Sequence, residues 1–140
     1  MKRSLRLNEV WPSAGTVMLL DSNIIIYAAQ PEHATLRQFI ETHAPAVSVV
    51  SYIEVLGYHK LTEEDRQFLE QFFQTAERLP LSEAVVQWAV KLRQRRKMNL
   101  GDAIVAGTAI AHERTLVTRN TNDFRWIEEI KLLNLLAERV

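Results

Sequence analysis

Val17-Met18-Leu19-Leu20 is an unbroken apolar run that stops at Asp21, passes through Ser22-Asn23 and turns apolar again at Ile24-Ile25-Ile26. A strand with one wet face alternates polar and apolar residues, whereas a strand covered on both faces has no polar position at all. This run therefore reads as a strand buried in a parallel sheet. Open parallel sheets bind ligands outside the carboxyl ends of their strands, and that is where Asp21 falls. Upstream, residues 1–16 mix Lys2, Arg3 and Arg6 with Pro12 and Gly15 and read as a flexible N-terminal extension, so that the folded domain runs over 17–140. Met18 is a second candidate translation start.

Downstream the same alternation continues. A helix over 22–30 is expected to stop at Pro31, and Leu36, Phe39 and Ile40 predict a second helix over 32–43. Ala46-Val47-Ser48-Val49-Val50 predicts a strand behind Pro45. Helices follow over 51–58, with Ser51 and Glu54 spaced as a capping box, and over 62–77, with Phe68, Leu69, Phe72 and Phe73 on one face. After a brief strand at Arg78-Leu79, residues 82–97 form an amphipathic helix with a basic end. Asn99 is placed to cap a helix over 100–113, whose Ala103, Ala106, Gly107 and Ile110 make a small-residue stripe suited to close packing on the sheet. A strand at Leu116-Val117-Thr118, a turn over 120–123, a short helical segment over 124–129 and a last strand over 132–136 complete the domain. The fold class is α/β, with a mostly parallel sheet covered on both faces.

Composition narrows the function. The 140 residues, 47% hydrophobic and 24% charged, suit one domain with a core of its own. Seventeen basic and seventeen acidic residues balance to zero, which excludes a globally basic polyanion binder and leaves only local patches. With no cysteine there is no disulfide, thiolate zinc site or thiol nucleophile. No apolar run approaches the roughly 20 residues of a membrane helix, and a cytoplasmic protein without membrane contact is expected.

Four acids stand out. Asp21 ends the first strand, Glu54 lies among Ile53, Val55 and Leu56, Asp102 opens the least polar helix, and Asp123 follows the Leu116-Val117-Thr118 strand. Each has an ordinary role open to it: Asp21 as an N-cap, Glu54 in its capping box, Asp102 on a helix dipole and Asp123 in a turn. A parallel sheet would nevertheless bring all four towards one edge, where they would repel one another unless a cation neutralised them. Oxygen donors alone, with His33, His43, His59 and His112 placed elsewhere, favour Mg²⁺ or Mn²⁺ over zinc.

Leu19-Leu20-Asp21-Ser22-Asn23, Ser51-Tyr52-Ile53-Glu54, Leu100-Gly101-Asp102-Ala103-Ile104-Val105-Ala106 and Leu116-Val117-Thr118-Arg119-Asn120-Thr121-Asn122-Asp123-Phe124 together resemble the four signature segments of PIN-domain nucleases. In order, spacing and length they are most similar to VapC-type toxins of bacterial type II toxin–antitoxin systems, over about residues 17–137. The resemblance implies a PIN-like three-layer fold of about five strands. It assigns Asp21, Glu54, Asp102 and Asp123 as the catalytic acidic quartet that holds Mg²⁺ or Mn²⁺, with Asn23, Thr118 and Asn120 as polar neighbours orienting ligands or water. It implies a metal-dependent endoribonuclease toxin that hydrolyses RNA phosphodiester bonds, forms a homodimer and is inhibited by a cognate VapB-type antitoxin.

RNA contacts are expected from Arg93, Arg95, Arg96, Lys97, Arg119 and Arg125, the first four of which would serve equally as a solvated helix end. Phe39, Tyr52, Tyr58 and Phe73 are candidates for an antitoxin groove or dimer contact, or for the core. A phosphatase using the first aspartate as nucleophile would want a second acid two residues on, where Asn23 stands. The non-enzymatic alternative is a catalytically inactive PIN-like module binding RNA or protein.

Overall fold

The computed structural model describes residues 18–135. The extension expected over 1–16, together with Val17 and Leu136 from the ends of two predicted strands, lies outside them.

Met18–Leu20 forms β1 with all three residues buried. Successive strand residues face opposite sides of a sheet, so Met18 and Leu20 enter one apolar cluster with Ile24, Phe39, Val47 and Val117, while Leu19 enters a second with Ala46, Leu92, Ala106 and Leu116. One unbroken apolar run thus feeds two cores. Around it the chain places α1 (Ser22–Ala28), a 3₁₀ turn (Pro31–His33), α2 (Ala34–His43), β2 (Ala46–Ser48), α3 (Val49–Leu56) and α4 (Glu63–Thr75). There follow β3 (Arg78–Leu79), α5 (Glu83–Arg95), α6 (Leu100–Ala111), β4 (Thr115–Val117), α7 (Thr121–Phe124) and β5 (Lys131–Leu133). The five strands are parallel in the order β3-β2-β1-β4-β5, with Leu20 opposite Val47 on one side and Val117 on the other. This is the three-layer α/β architecture expected from the sequence. Among the described residues no helix is long and apolar enough to cross a membrane.

The structure corrects several boundaries. The strand expected over 46–50 ends at Ser48, whose side chain accepts the Val50 N–H at 3.2 Å and starts α3 at Val49. An N-cap contributes about 1 kcal/mol, enough to offset the few tenths by which β-branched residues disfavour a helix. The Ser51–Glu54 capping box is therefore not made. The helix expected over 22–30 ends at Ala28, and the one expected from residue 32 begins at Ala34 after the Pro31 turn; Arg37 braces this corner by donating to the carbonyls of Ala28 and Gln30, both at 2.9 Å. The turn expected over 120–123 is instead most of α7, and the helix expected over 124–129 does not form, because buried Phe124 and Ile127 anchor an irregular segment. In the small-residue stripe, Ala106 reaches the sheet-side core and Ile110 packs against it as expected, but Gly107 faces α5. A Cβ there would stand 2.9 Å from the Val85 carbonyl oxygen, so the glycine sets how closely α5 and α6 approach.

Candidate metal centre at the carboxyl ends of β1 and β4

The chain leaves β1 towards β2 and later returns to its other side as β4, so the connections diverge there and open a crevice at the carboxyl ends. The Asp21 N–H donates to the Val117 carbonyl at 2.9 Å, joining the two strand ends beyond their last paired residues. Asp21 is 5% exposed. Its Oδ1 accepts the Ser22 N–H and its Oδ2 accepts the Thr118 hydroxyl, both at 2.8 Å. The same Thr118 oxygen accepts the Asn120 N–H at 3.0 Å, so its direction is fixed by backbone. Asp21 is thus an N-cap and a site group at once. Burial pushes its carboxyl above the ordinary value; the Thr118 and Ser22 hydrogen bonds oppose this, and the charges of Glu54 and Asp123 reinforce it.

Glu54 lies on an exposed face of α3. Its Oε1 nonetheless lies 2.7 Å from the Ser22 Oγ, which lies 2.8 Å from the Oγ of buried Ser51. Each hydroxyl has one proton, so both contacts are satisfied when Ser51 donates to Ser22 and Ser22 donates to Glu54. The other Glu54 oxygen lies against Gly101 in the first turn of α6, where an added Cβ would collide with it.

Asp102 is half-buried one residue further along α6, and among the described residues no hydrogen bond stabilises its charge. Burial first, then the charges of Asp21, Asp123 and Glu54, push its carboxyl up to about 6. Asp123 is exposed on α7. The four predicted acids are therefore brought within each other's fields. Among the described residues no three of them converge as a preformed cage, the spread arrangement that mutual repulsion favours. All-oxygen donors sharing uncompensated negative charge suit a hard divalent cation.

Of the three expected neighbours, Thr118 bonds an acid directly, Asn120 acts through its backbone, and Asn23 is exposed without a side-chain hydrogen bond among the described residues. Ser22, Ser51 and Gly101 were not anticipated. The predicted basic residues divide: Arg95 is held by both Glu129 oxygens at 2.9 Å, and Arg93 donates to the Met98 carbonyl. Arg96 and Arg119 lie over the rings of Trp126 and Tyr27, Lys97 borders the acids, and Arg125 is exposed. Of the candidate groove residues, Phe39 and Phe73 are core, whereas Tyr58 is exposed.

Comparison with known proteins accords with this geometry. The family model described as PIN domain matches residues 18–129. A search of curated protein sequences found no match. Among solved structures, a toxin–antitoxin complex from Klebsiella pneumoniae has a chain 30% identical, with TM-score 0.67, covering 84% of this chain and 96% of its own. VapBC2 from Rickettsia felis, bound to a promoter DNA fragment, is 24% identical with TM-score 0.74, covering 85% and 98%. VapBC-1 from nontypeable Haemophilus influenzae is 20% identical with TM-score 0.70, again covering 85% and 98%. With acids and hydroxyls gathered at the crevice and the family model spanning nearly all the described residues, the chain belongs to the PIN domain family and has the VapC-type architecture.

Proposed function

We propose that the chain is a divalent-metal-dependent endoribonuclease toxin of the VapC kind. The observation that carries this reading is the gathering of four acids at the β1–β4 crevice, where burial first, and then the charges of Asp21, Asp123 and Glu54, raise the Asp102 carboxyl to about 6. Asp21, Glu54, Asp102 and Asp123 would hold Mg²⁺ or Mn²⁺, which when bound supplies Lewis acidity and lowers the pKa of water. Thr118 and the Ser22 N–H aim the two Asp21 oxygens, and the Ser22 hydroxyl aims Glu54. Asp102 is ready to bind a cation only once it has lost its proton, so acid competes with the metal and activity falls as pH is lowered. In the hydrolysis a water oxygen forms a bond to phosphorus, a phosphorus–oxygen bond to ribose breaks, and the leaving oxygen takes a proton. Arg96 and Lys97, beside Asp102 and Asp123, would neutralise the RNA backbone next to the cut.

The 30% identity to a chain of a toxin–antitoxin complex supports a VapB-type antitoxin as partner. We further propose a homodimer acting in the cytoplasm. The test is cleavage of total RNA with Mn²⁺, with EDTA, and by the Asp102→Asn variant. Discrete fragments that require both Mn²⁺ and Asp102 are expected; absence of cleavage by folded, antitoxin-free protein would replace this reading with the inactive RNA- or protein-binding module.

A further inference from the structure

Next to the quartet lies a groove of about 320 Å³ that is lined by Asp102 and Asp123 themselves. Its other polar lining consists of two cations, Arg96 and Lys97, and two amides, Asn99 and Asn122, around one aromatic ring, Trp126. The Trp126 indole N–H donates to the Asp123 backbone carbonyl at 3.0 Å, which pins the ring to the turn that carries an acid. The Arg95–Glu129 ion pair ties the end of α5, where Arg96 stands, to the segment just beyond Trp126, so the two borders of the groove are held together.

The Arg96 guanidinium lies 5.3 Å from the centre of the Trp126 ring. An exposed contact of this kind shifts an equilibrium about twofold to fivefold, whereas a nucleobase stacked on an aromatic side chain is worth about fivefold to 150-fold. A stacked base would therefore outcompete the guanidinium for the ring and leave it free for a phosphate. Amides offer both a donor and an acceptor, the pair that reads the edge of an unpaired base.

We propose that this groove receives the unpaired nucleobase adjoining the cleaved phosphodiester, stacked on Trp126 with its edge towards Asn99 and Asn122. The proposal rests on the endoribonuclease reading, in that the base site adjoins the reacting phosphate only if the quartet cuts RNA. It gives the enzyme a base preference at one position beside the cut.

The test uses the full chain and short single-stranded RNA of mixed sequence. Binding is measured in EDTA by fluorescence anisotropy and cut sites are mapped with Mn²⁺, for wild type, Trp126→Ala, Trp126→Phe and Asn122→Ala. Trp126→Ala is expected to weaken single-strand binding about tenfold and to flatten the base preference, with Mn²⁺ affinity by calorimetry unchanged. Trp126→Phe, which keeps a ring but loses the bond to Asp123, recovers most of the binding. Asn122→Ala, at an exposed position, changes the preferred base and leaves the melting temperature as in wild type. Wild-type affinity and cut sites in folded Trp126→Ala, or in Asn122→Ala if Trp126→Ala does not fold, would overturn the proposal while leaving the nuclease reading intact. If wild type binds RNA without cutting it, the nuclease reading fails and the Trp126 comparison of binding alone decides whether a base groove exists. Absence of both single-strand binding and cleavage by wild type overturns both, and absence of single-strand binding with cleavage retained overturns the base groove alone.

Discussion

Asp21 and Glu54 hang on hydroxyl groups, while Asp102 and Asp123 stand on the first turns of two helices beside a cationic groove. On the first side Thr118, Ser22 and Ser51 set the carboxylate directions before any ligand arrives. On the second, Asp102 has no such donor among the described residues, and burial, followed by the charges of Asp21, Asp123 and Glu54, raises its proton affinity. A metal centre built this way would divide its labour: one half is preorganised, and the other stores repulsion that a cation would relieve.

The largest break in this asymmetry is Asp102→Asn. Loss of about 4 kcal/mol of charge stabilisation corresponds to about a thousandfold in single-turnover cleavage, while the metal-free variant melts higher than wild type because a repelling charge is gone. A fall of less than tenfold would mean that the two halves do not differ in this way. Next comes Thr118→Val, which keeps the shape but strips the Asp21 Oδ2 of its donor. Metal affinity by calorimetry is expected to drop about 10- to 100-fold, with about 1–3 kcal/mol lost in urea unfolding for the buried acceptor left unpaired; Thr118→Ser restores most of both.

Gly101→Ala sharpens the comparison from the helix side. The added Cβ drives the Glu54 carboxylate away from Ser22. Mn²⁺ binding is expected to weaken about fivefold, a change of about 1 kcal/mol, while stability stays within about 1 kcal/mol because alanine favours the helix.

The smallest effect is a pH dependence. Folding raises the Asp102 carboxyl from 3.8 to about 6. The folded state therefore holds that proton more tightly, and this stabilisation is present below the unfolded value and lost as pH rises through about 6. Asp102 is partly solvated, so the loss is about 1 kcal/mol, or about 4 °C. The melting gap between Asp102→Asn and metal-free wild type should widen by that much from pH 5 to 7, and Mn²⁺ should close it.

The sheet was legible because Met18–Leu20, Ala46–Ser48 and Leu116-Val117 have no polar position facing water, and the acids were legible because they follow such runs or open apolar helices. The serines were not. Ser51 has the spacing of a capping box, and only contact with α1 shows it supporting Ser22 instead. A signal did exist: a buried hydroxyl beside Ile24 and Ile25, or between Val50 and Tyr52, needs a polar partner from another element. Gly101 was hidden for a different reason, since a glycine in a first helical turn is unremarkable until the Glu54 carboxylate is seen against it. Trp126 has the look of a core aromatic, and its place in the groove depends on Phe124 and Ile127 taking the buried positions on either side.

The Thr118 hydroxyl that aims Asp21 arrives 97 residues later in the chain. At about 5–20 residues per second, a ribosome makes the two halves of this clamp roughly 5–20 seconds apart. Throughout that interval β1 has no β4 beside it and Asp21 no hydroxyl partner, so an emerging polypeptide carries the acid without the geometry that makes it useful. If the chain is the toxin proposed above, a cell making it would have that time, on every chain, to supply a restraining partner before the centre is assembled.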